Sequence, residues 1–274
     1  MHAQHEELKP RIGLAGVVAE LEFDDPAAAD PAAAAFREFL TPAPPTFSLR
    51  VHGRVAAGPA GAAAAEFVAD DTALRMHGAA GRAWFDYRRG RGVLWQAHDL
   101  DAVRGLLTAI ALRYLAERGG LILHAAGART PAGALVFFGP SGSGKTTLAA
   151  RLAAEEGVAI LSDEAVAVRP AGAGWVAEGL PWRGRAVAAP LAALFALERA
   201  EALVVEPLAP AAFVRRVVSS VYVEGAGAWQ RGRLLESVER LAQAVPAFRL
   251  RCPREGPVLP AVLGRLGAEP GAAR

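Results

Sequence analysis

The densest chemistry in this chain lies in one run: Gly139, Pro140, Ser141, Gly142, Ser143, Gly144, Lys145 and Thr146, with Thr147 following. Its pattern is G-x-x-x-x-G-K-[ST]. Glycines at this spacing let successive backbone N–H groups aim inward, and a helix starting at the lysine adds its positive end, so the run forms an anion cradle. The lysine of such a loop reaches β- and γ-phosphates, and the Ser/Thr hydroxyl after it is a Mg²⁺ ligand. The expected ligand is a nucleoside triphosphate with Mg²⁺. The flanks agree: an apolar run of strand length, Ala134 to Phe138, precedes the loop, and a helical pattern, Thr147 to Glu156, follows it.

A metal-bound polyphosphate needs a carboxylate beside it. Asp163 and Glu164 follow the next strand-like run, Val158 to Leu161. In a parallel sheet the end of that strand faces the same edge as the loop. Asp163 is therefore expected to hold the metal or accept a proton, with Glu164 as the other candidate. Neighbouring strand residues face opposite sides, so only a bend at the strand end brings both acids into one site. A histidine, His124, sits in the apolar run Leu121 to Ala126, one strand before the loop. Pro181, Trp182, Arg183, Gly184 and Arg185 form a further cluster in which Arg183 or Arg185 could meet a phosphate or an acidic substrate.

The surrounding pattern predicts two parts. Residues 1–100 read as a small α+β domain: a strand region with a turn from Ile12 to Phe23, a short helix from Ala32 to Leu40, then strands at Phe47–Val51, Leu74–His77, Ala83–Tyr87 and Gly92–Gln96 in antiparallel hairpins. Ala56 to Ala65 reads as a loop, and Arg88, Arg89 and Arg91 as a solvated hairpin tip. Residues 101–274 read as an α/β nucleotide-binding domain. It opens with a helix capped by Asp99 or Asp101, carries Val103, Leu106, Leu107 and Ile110 at helical spacing, and breaks at Gly119 and Gly120. Later helices are expected at Leu191–Leu197, Pro210–Tyr222, Gly232–Ala244 and Leu259–Leu266, and strands at Leu203–Glu206 and Phe248–Arg251.

Bulk properties exclude other classes. Cys252 is the single cysteine, which rules out an intrachain disulfide and a cysteine metal cluster. A net charge of +2, without a dense Lys/Arg run interleaved with aromatics, gives no reason to expect nucleic acid. No apolar stretch reaches the ~18 residues of a membrane span, and the first ten residues lack the apolar core of a signal peptide, so a cytoplasmic protein is expected. Of 30 Lys and Arg residues only Lys9 and Lys145 are lysine. An Arg-biased chain that keeps lysine in the loop points to a need for a compact ammonium there.

The segment Leu121 to Ala126 with His124, the loop with its Gly-Lys-Thr-Thr-Leu ending, and Ile160-Leu-Ser-Asp163-Glu164 together resemble the catalytic domain of HPr kinase/phosphorylase. The same type of nucleotide-binding domain occurs in phosphoenolpyruvate carboxykinase. The resemblance covers about residues 103–200, and is strongest to small HPr-kinase-like proteins encoded beside modified peptides, including lasso-peptide kinases. It implies a carboxykinase-type α/β fold and an ATP- and Mg²⁺-dependent kinase acting on a hydroxyl, as on serine of a peptide or protein. His124, Lys145, Asp163 and Glu164 would be its catalytic residues, and Thr146 and Asp163 its metal ligands. Glu164 stands where HPr kinase has Asp, and Glu178 is the nearest match to the family's later metal-binding acid. The arginine-bearing carboxy-terminal motif of HPr kinase is absent, which implies a different acceptor. HPr kinases are hexamers, so a homo-oligomer stays open. Two alternatives share the motifs: a nucleotide-dependent maturation factor that transfers no phosphate, and a small-metabolite kinase.

Overall fold

A computed structural model describes residues 9–25, 28–53, 65–78, 81–95, 100–181, 184–223 and 227–267. The protein is mixed α/β, with two mixed sheets and six α-helices among the described residues. It divides into two compact units, Met1–Leu115 with Val223–Arg231, and Ala116–Tyr222 with Gly232–Arg274.

The first unit holds the strands β1 (Arg11–Leu14), β2 (Val17–Phe23), β3 (Phe47–His52), β4 (Ala65–Ala69), β5 (Ala73–Gly78), β6 (Gly81–Asp86) and β7 (Arg91–Trp95). Helix α1 (Ala29–Ala35) follows β2, and α2 (Leu100–Glu117) follows β7. Strand order is β1-β2-β3-β7-β6-β5-β4. The strands alternate as expected for a sheet with one buried face: Leu49 and Val51 of β3 and Phe85 of β6 are fully buried, whereas Arg50 and Trp84 are exposed. Two expectations need correction. The sheet is not purely antiparallel, because β3 runs parallel to both β2 and β7. Strand β4 was not foreseen: its Phe67 and Val68 stand between alanines and a glutamate, a composition with little strand signal. Most of the Ala56–Ala65 segment, together with Asp99, lies outside the described residues.

The second unit is built on β8 (Leu121–Thr130), β9 (Gly133–Phe138), β10 (Ala159–Ser162), β11 (Ala165–Ala171), β12 (Gly174–Gly179), β13 (Ala188–Arg199), β14 (Val204–Pro207) and β15 (Ala247–Cys252). Its helices are α3 (Lys145–Leu152), α4 (Pro210–Val217), α6 (Leu259–Gly267) and the larger part of α5 (Ala228–Ala244). Strands β9, β13 and β15 form a parallel core. Pairing also closes on itself, running from β8 to β9, β13, β12, β11 and back to β8. Strand β9 is covered on both faces. Ala134, Val136 and Phe138 pack in a cluster with Phe213 of α4 and Val238 and Leu241 of α5. Leu135 and Phe137 pack in another with Leu148 and Leu152 of α3 and Val262 of α6. A fully buried strand of this kind reads as a continuous apolar run.

That same property misled the sequence reading at Leu191–Leu197, expected as a helix. These residues form the middle of β13, paired with β9 on one edge and β15 on the other. An apolar run of this length has no polar face to reveal its period, and Ala and Leu favour a helix until tertiary pairing overrides them. Helix α3 also ends early, at Leu152 rather than Glu156. Its last turn tightens into i→i+3 bonds, Ala154 N–H to Arg151 O at 3.2 Å and Glu155 N–H to Leu152 O at 3.1 Å.

The link from β12 to β13 folds tightly against the end of β10. Arg185 N–H donates to Leu161 O at 2.8 Å, and Gly179 N–H to Val187 O at 3.0 Å. A Cβ on Gly179 would lie 2.2 Å from Arg185 O and 2.4 Å from Leu161 O. Both obstacles are backbone, so nothing can swing aside. Gly179→Ala is therefore expected to destabilise the protein by about 1–3 kcal/mol, the usual cost of overpacking. Urea unfolding of the variant against wild type measures it, and an unchanged midpoint would contradict this packing.

Candidate functional site

Strand β8 sets the geometry. On one edge it pairs antiparallel with β9, with Ala125 opposite Phe138, the last residue before the glycine-rich loop. On the other edge it pairs antiparallel with β10 and then β11, with Gly127 opposite Ser162 and His124 opposite Ala165. The loop and the Asp163–Glu164 link thus flank the same short stretch of β8. The loop strand and the acid strand are not the neighbouring parallel pair that the sequence suggests. Instead β9 and β10 run in the same direction because both are antiparallel to β8 between them.

The link between β10 and β11 is bent and held. Ser162, 1% exposed, accepts hydrogen bonds at Oγ from Glu164 N–H at 3.1 Å and Ala165 N–H at 3.0 Å. Ala125 N–H donates to Glu164 O at 3.0 Å. This bend answers the question of which acid faces inward: Asp163 and Glu164 both line a cleft of about 330 Å³, together with His124 and Lys145. The loop contributes Ser141, Gly142, Gly144, Thr146 and Thr147 to the same cleft.

The loop's backbone explains its glycines. Gly142 and Gly144 adopt φ of +78° and +103°, in the left-handed region that L side chains avoid. Gly144 is also the N-cap of α3, without a side-chain cap. The first N–H groups of α3 therefore open toward the cleft, where the helix end attracts anions. Lys145 is 7% exposed, and its Nζ donates to Gly139 O at 2.8 Å and Pro140 O at 3.2 Å. Burial lowers its pKa from the ordinary lysine value. His124 is half-buried beside Tyr222, ring centroids 6.2 Å apart. Burial lowers its pKa and so does the charge of Lys145, while the Glu164 carboxylate and a hydrogen bond to the Glu164 backbone oppose this.

Other expected residues fall elsewhere. Glu178 does not line the cleft; it lies on β12 and pairs with Arg169. Arg185 is exposed and lines neither this cleft nor the cavity beside it, and Trp182 and Arg183 lie outside the described residues. Gly139, Pro140 and Ser143 belong to the loop without lining this cleft. Arg199 lines the cleft and was not foreseen. It ends β13, so its position at the loop edge is invisible while that segment is read as a helix. Among the described residues no group of three or more His, Cys, Asp or Glu converges as a metal site by itself. No helix among them is long and apolar enough to cross a membrane. No family model and no curated protein matches the chain.

The arrangement joins an anion-attracting helix end, a desolvated ammonium and a guanidinium to two carboxylates and an imidazole. It can hold a polyanion at one end and handle a proton at the other.

His124 gives this electrostatic picture a direct check. Its folded pKa lies below the unfolded 6.5, so between those values the unfolded chain binds the extra proton. Stability is full above pH 6.5 and falls as pH drops through the folded pKa. Wild type is expected to lose more stability between pH 7.5 and 5.5 than His124→Gln. Urea midpoints at the two pH values compare them; equal losses would show that His124 carries no such shift.

Proposed function

We propose that this protein is an HPr-kinase-like, carboxykinase-type ATP- and Mg²⁺-dependent kinase that phosphorylates a hydroxyl, with serine of a peptide or protein as acceptor. The observation that carries the reading is the gathering of Lys145, Thr146, Asp163, Glu164 and His124 around one cleft. Simple nucleotide binding requires the loop and its lysine. A histidine and two carboxylates held opposite them supply what transfer to a hydroxyl needs in addition.

The residues fit the group. Positive φ at Gly142 and Gly144 frees the backbone N–H groups for phosphate oxygens, and the buried Lys145 ammonium lacks a carboxylate partner in its hydrogen bonds, which go to two carbonyls. When bound, Mg–ATP supplies the transferable phosphoryl group and a metal charge that offsets its oxygens. Thr146 and Asp163 would hold the metal. Lys145 would exchange loop carbonyls for β- and γ-phosphate oxygens, and Arg199 adds a second cation on the same wall. Asp163 or Glu164 would accept the hydroxyl proton as the acceptor oxygen attacks phosphorus. The bond to the bridging oxygen breaks and leaves a nucleoside diphosphate. His124, neutral near pH 7 because its pKa is lowered, would orient the acid turn through its hydrogen bond to the Glu164 backbone.

Lys145→Ala is expected to weaken Mg–ATP binding in calorimetry or abolish turnover while the fold survives. Unchanged affinity together with unchanged turnover would sink the loop assignment. Asp163→Asn should reduce phosphoryl transfer by about 10²-fold or more, with a smaller loss for Glu164→Gln; the reverse order would give Glu164 the leading role. With γ-labelled ATP and lysate of its own host, wild type should label a discrete peptide or protein, and Asp163→Asn should not. Release of free phosphate alone would instead favour a nucleotide-switched maturation factor, and a labelled small molecule would favour a metabolite kinase.

A further inference from the structure

The sheet of the first unit has a face that the nucleotide reading leaves unused, and the arginine-rich tip of the β6–β7 hairpin lies at its end. One side of this sheet is buried: Tyr114 of α2 stacks on Phe47 with ring centroids 5.6 Å apart, and Leu49, Met76 and Phe85 are fully buried. The other side is open, and the strand registers place its side chains. Arg82 of β6 stands opposite Trp95 of β7 and His77 of β5. One step along, Trp84 stands opposite Val93 of β7 and Arg75 of β5, and Val93 in turn stands opposite Arg50 of β3. Trp84 and Trp95 are 38% and 43% exposed, and Val68, opposite Arg75 on β4, is 49% exposed.

We propose that this face docks an acidic polypeptide segment in extended conformation, whose carboxylates meet Arg82 and Arg75 while its apolar side chains cover Trp84 and Trp95. Apolar clustering is the first sign. Single exposed apolar residues are ordinary, but three of the eight large ones among the described residues share this face, two of them tryptophans. Tryptophan and arginine dominate the energetics of protein interfaces, the first through apolar area and the second through forked contacts to carboxylates. Spacing agrees. Arg82 and Arg75 are diagonal neighbours on adjacent strands, a separation of roughly 7–8 Å. Alternate side chains of an extended peptide repeat every ~6.7 Å, so carboxylates two residues apart match the two guanidinium groups.

The charges of the face suit this partner. Arg82 and Arg91 are exposed and make no ion pair among the described residues. Carboxylates beside them are already engaged. Glu22 pairs with Arg50 and Lys9, and Asp86 accepts from the backbone N–H groups of Arg88 and Arg89 at 2.9 and 3.0 Å, which fixes the tip that carries both guanidinium groups. Asp70 accepts from the N–H groups of Thr72 and Ala73, and its 3.6 Å pair with Arg75 is half-exposed on both sides, a weak surface contact that leaves Arg75 open to a second carboxylate. Nucleic acid suits the face less well. Its phosphates repeat without interruption and would pass over Glu66 and Asp86, whereas a peptide carries its charges only at chosen positions. The inference goes beyond the nucleotide reading and does not depend on it, because every residue in it belongs to the first unit.

Fluorescence anisotropy of the full chain with a short fluorescein-labelled peptide that alternates glutamate with leucine tests the proposal, with no nucleotide present. Wild type is expected to bind it, and Arg82→Glu to weaken binding about 10-fold at low salt. Trp84→Ser should weaken it about 3- to 10-fold, and a peptide with lysine in place of glutamate should not bind. Both substitutions are at exposed positions, and an unchanged urea midpoint shows that the fold survives. A check on wild type alone uses the same peptide with benzoylphenylalanine in place of one leucine, whose photoadduct should map to β5, β6 or β7. Absence of binding by the glutamate peptide, unchanged affinity in Arg82→Glu and Trp84→Ser, or an adduct outside this sheet overturns the proposal. So does an oligothymidylate that binds wild type more tightly than the peptide and loses affinity in Arg82→Glu, which would make the face a nucleic-acid surface.

Discussion

The hydrogen-bond ladder along β8 is the constraint on which the site depends. Around Ala125 this strand is paired on both edges, with Phe138 on one side and the Glu164 carbonyl on the other. The glycine-rich loop begins one residue after Phe138, and the acid turn contains Glu164. One backbone ladder therefore fixes the separation of the cation-bearing loop and the carboxylate-bearing turn. Buried backbone groups must be paired, so the register cannot drift without exposing several of them. The small residues of β8 contribute as well. Gly127 lies so close to β10 and β11 that a Cβ there would sit 2.9 Å from Val166 Cγ2. The turn is pressed against β8 because β8 presents almost no side chain at that level.

Electrostatics follows from that spacing. Lys145 is desolvated, and its hydrogen bonds go to carbonyls rather than to a carboxylate. An ammonium in this state attracts an anion more strongly than a hydrated surface lysine, because its solvation has already been given up on folding. His124 feels the charges of Lys145 and Glu164 with opposite effects, and burial together with the lysine prevails. The net effect is a pKa below the ordinary histidine value. Arg199, brought in from β13, adds a guanidinium to the same cleft.

Much of this site was legible in the sequence, because loop chemistry demands particular residue types at fixed spacing. Gly142, Gly144, Lys145 and Thr146 could be named from the motif, and Asp163 and Glu164 from their place after the next strand. What was hidden belongs to tertiary structure. The acids were placed at the right edge through an assumed parallel neighbour, whereas two antiparallel steps across β8 restore the direction. Leu191–Leu197 carries no periodicity that separates a buried strand from a helix, so β13, its partners β9 and β15, and Arg199 at its end were lost together. Glu178, only the nearest counterpart in sequence to a later metal-binding acid, gives its carboxylate to Arg169 on the adjacent strand β11. Strand β4 escaped because alanine carries so little information about either structure.

The scarcity of lysine gains a physical reason from the packing. Lys9 pairs at 3.5 Å with the partly exposed Glu22, a surface contact that arginine could also make. Lys145 differs. Its ammonium is folded under the loop, against Gly139 O and Pro140 O, in a space bounded by backbone. A guanidinium is wider, planar and carries five donors in a fixed fork, and two carbonyls of one tight loop cannot satisfy it. An ammonium has three rotatable donors on a flexible stem. It can satisfy those two carbonyls and still turn a third hydrogen toward the cleft that Lys145 lines. In a chain that otherwise uses arginine for nearly every cation, this lysine stands where the charge must be compact enough to be buried against loop carbonyls.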